Sequence, residues 1–191
     1  MAKVIDVSYW QKDIDYDDVK DAGVDGVIAK ISEGTSIEET WWGHVSEAEG
    51  HGLKCGVYCY SHASTPIEAA EEANEVIYLL EKRTPPMGVW FDFEAPECLS
   101  AEDPTAVCSA FINAINSAGI PCGIYASLST LKDVIDVNAL ADYVPYWVAQ
   151  YNHACDFTDY FPDHILAGWQ YTDDGRIGRT SVDLNEWYLE L

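Results

Sequence analysis

The chain has 191 residues and a formal net charge of −23, from 33 acidic and 10 basic side chains. That length holds one domain with a sizeable core, and 48% hydrophobic residues with seven Trp and twelve Tyr exclude a disordered chain. The acidity excludes nucleic acid and anionic membrane as partners, so a ligand contact has to be local and mostly uncharged. Sugar rings meet that requirement, because they stack on aromatic faces and hydrogen-bond to carboxylates and amides.

The start, Met1-Ala-Lys-Val-Ile-Asp6, lacks the apolar segment of a signal peptide and reads as a first strand over 4–7. Strands are expected next over 26–31 and 54–60. A helix follows over 66–81: Thr65 is its N-cap, Pro66 its first residue, and Glu68 completes a capping box. Ala69, Ala73, Val76, Ile77 and Leu80 line its apolar face. After a strand over 88–93, a second long helix opens at Asp103-Pro104 and stops before Gly119, with Val107, Phe111, Ala114, Ile115 and Ala118 inward. Strands over 122–125, 146–150, 165–171 and near 181–184 complete the pattern, and 171–177 reads as a hairpin turn. Three stretches, beginning at Ala22, His51 and Ala118, share one plan in which a helix stops at glycine and another glycine opens an apolar strand.

Alternating strands and helices imply a parallel sheet. Eight strands are many for 191 residues, since a full β/α barrel usually takes about 250. The fold expected is therefore α/β: an irregular, TIM-like β/α barrel of eight strands with about five helices and an antiparallel C-terminal finish. No linker divides residues 1–191. No stretch is long and apolar enough to span a membrane. The six cysteines contain no Cys-x-x-Cys pair and read as reduced core residues. Neither they nor His44, His51, His62, His153 and His164 have metal-ligand spacing, so no metal or cofactor is expected.

The chemistry concentrates in Gly88-Val-Trp-Phe-Asp-Phe-Glu-Ala-Pro96. Asp92 and Glu94 lie two residues apart, so on a strand they face the same way, with backbones roughly 6.6 Å apart. Two acids that close cannot both ionise freely near neutral pH. A proton donor beside an anion is what cleavage of a glycosidic bond needs. Other acids sit at equivalent strand ends: Asp6 on the first strand, Glu33 after the second and Asp183 on the last. In a closed barrel the first and last strands are neighbours, so Asp6 and Asp183 meet across the seam, at the end where such barrels carry their chemistry.

The stretches Asp6-Val-Ser-Tyr-Trp-Gln11, Lys30-Ile-Ser-Glu-Gly34, Phe91-Asp-Phe-Glu94, Trp147-Val-Ala-Gln-Tyr151, Trp169-Gln-Tyr171 and Val182-Asp-Leu-Asn185, in order along the chain, resemble the family 25 glycoside hydrolases. The resemblance implies a lysozyme that hydrolyses the β-1,4 bond between N-acetylmuramic acid and N-acetylglucosamine, with peptidoglycan glycan strands as partner. It places the proton donor at Glu94 and the other catalytic acids at Asp92, Asp6 and Asp183. The chain departs from many members at Tyr58-Cys-Tyr60, where they carry His and Phe after the Tyr.

Asp92 has two candidate roles. It is either the nucleophile of a double displacement or the group that orients the substrate's own 2-acetamido as nucleophile. Its placement on the same strand as Glu94 favours the second. Candidate substrate-binding residues are Glu33, the aromatic platforms Tyr60, Tyr125, Trp147 and Trp169, and the hydrogen-bonding Gln150 and Gln170. Of Trp41 and Trp42, adjacent on a helix, one packs and the other borders a groove. Competing activities are a chitinase-like hexosaminidase, a wall-binding module without catalysis, and a carboxylate-bound metal hydrolase. A monomer is expected, made in the cytoplasm and acting on the wall after release, or working outside the cell.

Overall fold

The computed structural model describes all residues, Met1–Leu191. Its strands are β1 (Ala2–Val7), β2 (Gly26–Glu33), β3 (Ser36–Ile37), β4 (Lys54–Tyr60), β5 (Val89–Asp92), β6 (Cys122–Ser127), β7 (Pro145–Ala149), β8 (Ile165–Ile177) and β9 (Thr180–Trp187). The helices are α1 (Tyr16–Asp21), α2 (Trp41–Gly50), α3 (Pro66–Leu80), α4 (Pro96–Leu99), α5 (Pro104–Ser117), α6 (Leu128–Asp133) and α7 (Phe157–Tyr160). Strands β1, β2, β4, β5, β6, β7 and β8 pair in parallel, and β9 runs antiparallel to both β8 and β1. The result is a closed eight-stranded barrel with β3 paired outside it on β2.

The barrel and its antiparallel finish match the sequence expectation. Seven helices stand where about five were expected, because α1, α4, α6 and α7 have six residues or fewer, too short for a periodic apolar stripe. The hairpin also lies further along. Residues 171–177 continue β8 through register shifts around Thr172, and the turn falls at Gly178-Arg179, with Gly178 at φ 54°. Only a glycine takes that angle without strain.

The long helices begin as their sequences dictate. Thr65 Oγ1 accepts from the Glu68 amide at 3.3 Å, and the Glu68 carboxylate accepts from the Thr65 amide at 3.1 Å. Asp103 caps α5 by accepting from the Ala106 amide at 2.9 Å. On α5, Val107, Phe111 and Ile115 are buried, whereas Ala118 falls outside the helix and is exposed. On α3 the buried face includes Glu72, which no apolar pattern announces. No helix is long and apolar enough to cross a membrane. All six cysteines are unpaired; burial pushes the Cys55 thiol up to about 12, so it packs as a small hydrophobe.

Two apolar layers hold this together. The larger lies between the sheet and the helices. The smaller fills the barrel: Val4, Ile28, Met87, Trp90, Tyr125, Trp147, Ala167 and Trp187. Three tryptophans meet edge to face there, with Trp90 5.2 Å from Trp187 and 6.0 Å from Trp147 between ring centroids. Such pairs contribute about 0.5–1.5 kcal/mol each beyond area burial. Glycines make the room: a Cβ on Gly123 would strike the Trp90 ring and the Pro145 carbonyl, and one on Gly168 the Trp187 ring.

Gly123→Ala should therefore cost roughly 1–3 kcal/mol, the usual penalty for overpacking. Urea denaturation checks this, with a lowered midpoint and an unchanged slope expected. An unchanged midpoint would mean that the tryptophan floor is looser than described.

Candidate active site

Strand alternation decides which acids meet. Val4, Trp90 and Trp187 point into the barrel, so Asp6, Asp92 and Asp183, an even number of residues away, point in as well, above the tryptophan floor. Glu94 stands two residues beyond Asp92, just past the end of β5 and on the same side. The intervening Phe91 and Phe93 point the other way, Phe91 stacking 4.2 Å from Phe111 of α5. Of the aromatic neighbours of Glu94, then, Trp90 belongs to the inner face and Phe93 to the outer core.

At the seam, Asp6 of β1 is the direct register partner of Asp183 of β9. Like charges directly opposite destabilise a sheet, and a polar network bridges them. Gln170 Nε2 donates to Asp6 Oδ2 and to Asp183 Oδ2, both at 3.2 Å. Its Oε1 accepts from the Tyr125 hydroxyl at 2.8 Å and the Tyr151 hydroxyl at 2.9 Å. Asn185 Nδ2 donates to Asp6 Oδ2 at 2.9 Å, and Asn185 Oδ1 accepts from Trp147 Nε1 at 2.7 Å. Both amides are thereby locked in one orientation.

All four carboxyls are harder to ionise than usual. Burial, then the charge of Asp183, pushes Asp6 up to about 8 against the pull of Asn185 and Gln170. Burial is also the main cause for Asp183. Asp92, 4% exposed, is raised well above the usual carboxylate range by burial, then by Glu94 and Asp6, and only Lys30 opposes this. Its Oδ1 has no hydrogen-bond partner within the protein. Glu94 keeps an accessible face at the mouth, yet partial burial and the charge of Asp183 raise it, again opposed by Lys30. The site thus sets an accessible carboxyl beside a buried one that has an unpartnered oxygen.

The expected binding residues divide. Glu33 sits exposed at the rim, held below its usual range chiefly by hydrogen bonds from Lys30 and His62. Tyr60, half-buried, aligns with Asp92 across β4 and β5. The rest lie deeper or are engaged within the protein. Trp147 is 1% exposed in the barrel floor and offers no face to a ligand. The Tyr125 ring lies against it at 4.5 Å, and the Tyr125 hydroxyl is spent on Gln170. Gln170, also 1% exposed, uses its whole amide inside the protein. Gln150 exchanges two hydrogen bonds with Asp156. Trp169 faces away from Gln170 along β8, its Nε1 donating to the Gln150 carbonyl at 2.7 Å. Trp41 is buried, whereas the more exposed Trp42 lies under Arg83 on the outer face of the barrel.

Sequence reasoning passed over four residues at this mouth. Asn185 and Tyr151 belong to the network, Lys30 pairs with Glu33, and Trp10 is 85% exposed on a 3-10 turn directly after β1. A lysine alternating with apolar residues in a barrel strand was the available signal for Lys30. Trp10 gives none, since exposure is not written in composition.

The chain matches the family described as Glycosyl hydrolases family 25 over residues 5–179. It is similar to the autolytic lysozyme of Clostridium acetobutylicum, 27% identical over 188 residues, which is 97% of this chain and 55% of that protein. The chain therefore spans about half the length of that curated relative. Among solved structures, the CTP1L endolysin superposes with a TM-score of 0.84 at 27% identity, covering 98% of this chain and 67% of its own. The catalytic domain of endolysin ply40 from bacteriophage P40 of Listeria monocytogenes gives 0.82 at 26% identity, covering 98% and 93%.

The raised carboxyl of Asp6 makes stability depend on pH. Its proton is bound in the fold up to about pH 8, but only to about 3.8 when unfolded. That contribution is complete below about pH 4 and lost as pH rises towards 8. Asp6→Asn removes the dependence, so its melting temperature should gain on the wild type steadily between pH 4 and 8 and level off above. A constant difference across that range, measured by calorimetry, would show that Asp6 titrates as an ordinary carboxyl.

Proposed function

The chain belongs to family 25 of the glycosyl hydrolases, and on that premise we propose that it is a lysozyme cutting the β-1,4 bond between N-acetylmuramic acid and N-acetylglucosamine in peptidoglycan. The observation that carries this is the pairing of Glu94 and Asp92 on one side of the β5 end: one acid accessible, one buried, both reluctant to ionise. Relatives named as an autolytic lysozyme and endolysins support the wall as substrate.

Glu94 acts as the general acid. It is harder to ionise than an ordinary carboxyl and reaches solvent, so it can protonate the leaving oxygen. The nucleophile has to approach the anomeric carbon from the opposite face. Asp92 springs from the same strand end as Glu94, which places it badly for that attack. Asp6 is no better, since its Oδ2 already accepts from Asn185 and Gln170. Those facts favour the substrate's 2-acetamido group as nucleophile. Asp92, through its unpartnered Oδ1, accepts the amide N–H and stabilises the positive charge that develops. Asp6 and Asp183 frame the floor against which Asp92 is held. A chitinase-like hexosaminidase would use the same chemistry on an unsubstituted N-acetylglucosamine polymer, so products, not geometry, separate the two.

Digestion of purified peptidoglycan, followed by mass spectrometry of the soluble fragments, tests the proposal. Wild type should release fragments ending in reducing N-acetylmuramic acid, and Glu94→Gln should lower kcat by about 10²–10⁴-fold. N-acetylglucosamine at the reducing end would move the cleaved bond. No product from folded wild type would leave a wall-binding module. A covalent sugar ester on Asp92, Asp6 or Asp183 would replace substrate assistance with a double displacement.

A further inference from the structure

Besides Asp6 and Asp92, one carboxyl side chain is buried: Glu72, on the inner face of α3 among Ala69, Ala73, Val76 and Leu80. A carboxylate in such a place has to be partnered. Its partners lie in the loop that follows β4. Glu72 Oε2 accepts from Ser61 Oγ at 2.6 Å, and Oε1 accepts from the His62 amide at 3.0 Å. The loop is tied on its other sides as well. The Ser61 amide donates to the Asp92 carbonyl at 3.0 Å, and Cys98 Sγ of α4 donates to the Ser61 carbonyl at 3.2 Å. From this base the His62 ring emerges at the mouth. It lies edge-on to the Tyr60 ring, 5.3 Å between centroids. Its Nε2 is 3.1 Å from Glu33 Oε1, and its Nδ1 is 3.6 Å from Glu97 Oε2. One imidazole thus spans from the end of β2 to α4, across the end of β4.

We propose that Glu72 is a positioning residue for the sugar-binding edge of the site: it fixes His62 from beneath, and His62 holds the Glu33 carboxylate and the Tyr60 ring where a glycan meets them. The identity of the ligand rests on the proposed function. The anchor is needed because the His62 side chain is 43% exposed and its two acidic neighbours more so. Exposed pairs of that kind contribute at most about 1 kcal/mol, too little to hold a mobile ring in one place. The backbone below is held better, since a buried hydrogen bond to a carboxylate is of the stronger kind. Gly34, the residue after Glu33, lies over the same carboxylate. Its amide donates to the Tyr60 carbonyl at 2.8 Å, and a Cβ there would stand 3.6 Å from Glu72 Oε1. For the core alone, an apolar side chain at position 72 would serve as well or better. The acid is explained by the loop it holds.

Kinetics on soluble glycan fragments of alternating N-acetylglucosamine and N-acetylmuramic acid test this, with wild type, Glu72→Met, Glu72→Gln, His62→Ala and the Glu72→Met/His62→Ala double variant. Glu72→Met removes both acceptors at similar volume and should raise KM by about three- to tenfold, with the loss mainly in KM rather than kcat. Glu72→Gln should stay near wild type, because its oxygen can take the His62 amide while its nitrogen donates to Ser61 Oγ. His62→Ala should raise KM like Glu72→Met, and the double variant should be no worse than either. Fragment binding to the same set carrying Glu94→Gln reads the effect without hydrolysis and should weaken by the same factors. An unmoved KM in folded Glu72→Met would overturn the proposal, as would additive effects in the double variant. A loss in kcat alone would do so too, placing the action of Glu72 on Asp92 through Ser61. An unmoved KM in His62→Ala overturns it even if Glu72→Met does not fold. If wild type binds fragments without cleaving them and Glu72→Met weakens that binding through His62, the lysozyme assignment fails and the positioning role stands.

Discussion

Strand β9 meets β1 antiparallel, and the register of that seam sets Asp6 directly opposite Asp183. A seam shifted by one residue would turn the whole inward set of β9, Asp183, Asn185 and Trp187, to the outer face. The floor would lose Trp187, Asp6 would lose its Asn185 donor, and Trp147 Nε1 would lose its acceptor. Closure and active-site assembly are therefore one event. The tryptophans demand the register for packing, and that same register gathers the acids.

Grouping carboxyls at one barrel end is costly, because each must give up hydration and face like charges. The protein meets this in two ways. At the seam, neutral amides do the work: Gln170 and Asn185 donate to the acids while their oxygens are held by Tyr125, Tyr151 and Trp147. At the β5 end a single cation, Lys30, is held by Glu33 and the Tyr60 ring. The first device tolerates protonated acids, and the second favours ionisation.

Much was legible along the chain. Strand β4 lies where the pattern put it, and α3 starts at its capping box, because both elements carry local signals: an apolar run opened by glycine, and an N-cap followed by proline and glutamate. The inward pairing of Asp92 with Glu94 follows from alternation alone. The aromatic platforms were less legible. Trp147 and Tyr125 belong to motifs that suggest a binding surface, yet an aromatic ring that fills a barrel and one that borders its mouth have the same letter and spacing. The glutamine hub was equally hidden. Gln170 reads as a ligand contact because nothing local shows that its four partners come from β1, β6, β9 and the loop after β7.

The long helices, the sidedness of the strands and the identity of the acids were readable along the chain, since these depend on periodicity and on chemistry carried within a few residues. Which acid is buried, which aromatic rings fill the floor, and where the short helices and the last turn fall emerge only once the chain is folded. Those are properties of depth and of neighbours far apart in the chain, and a strand carries no record of what lies above it until the barrel closes.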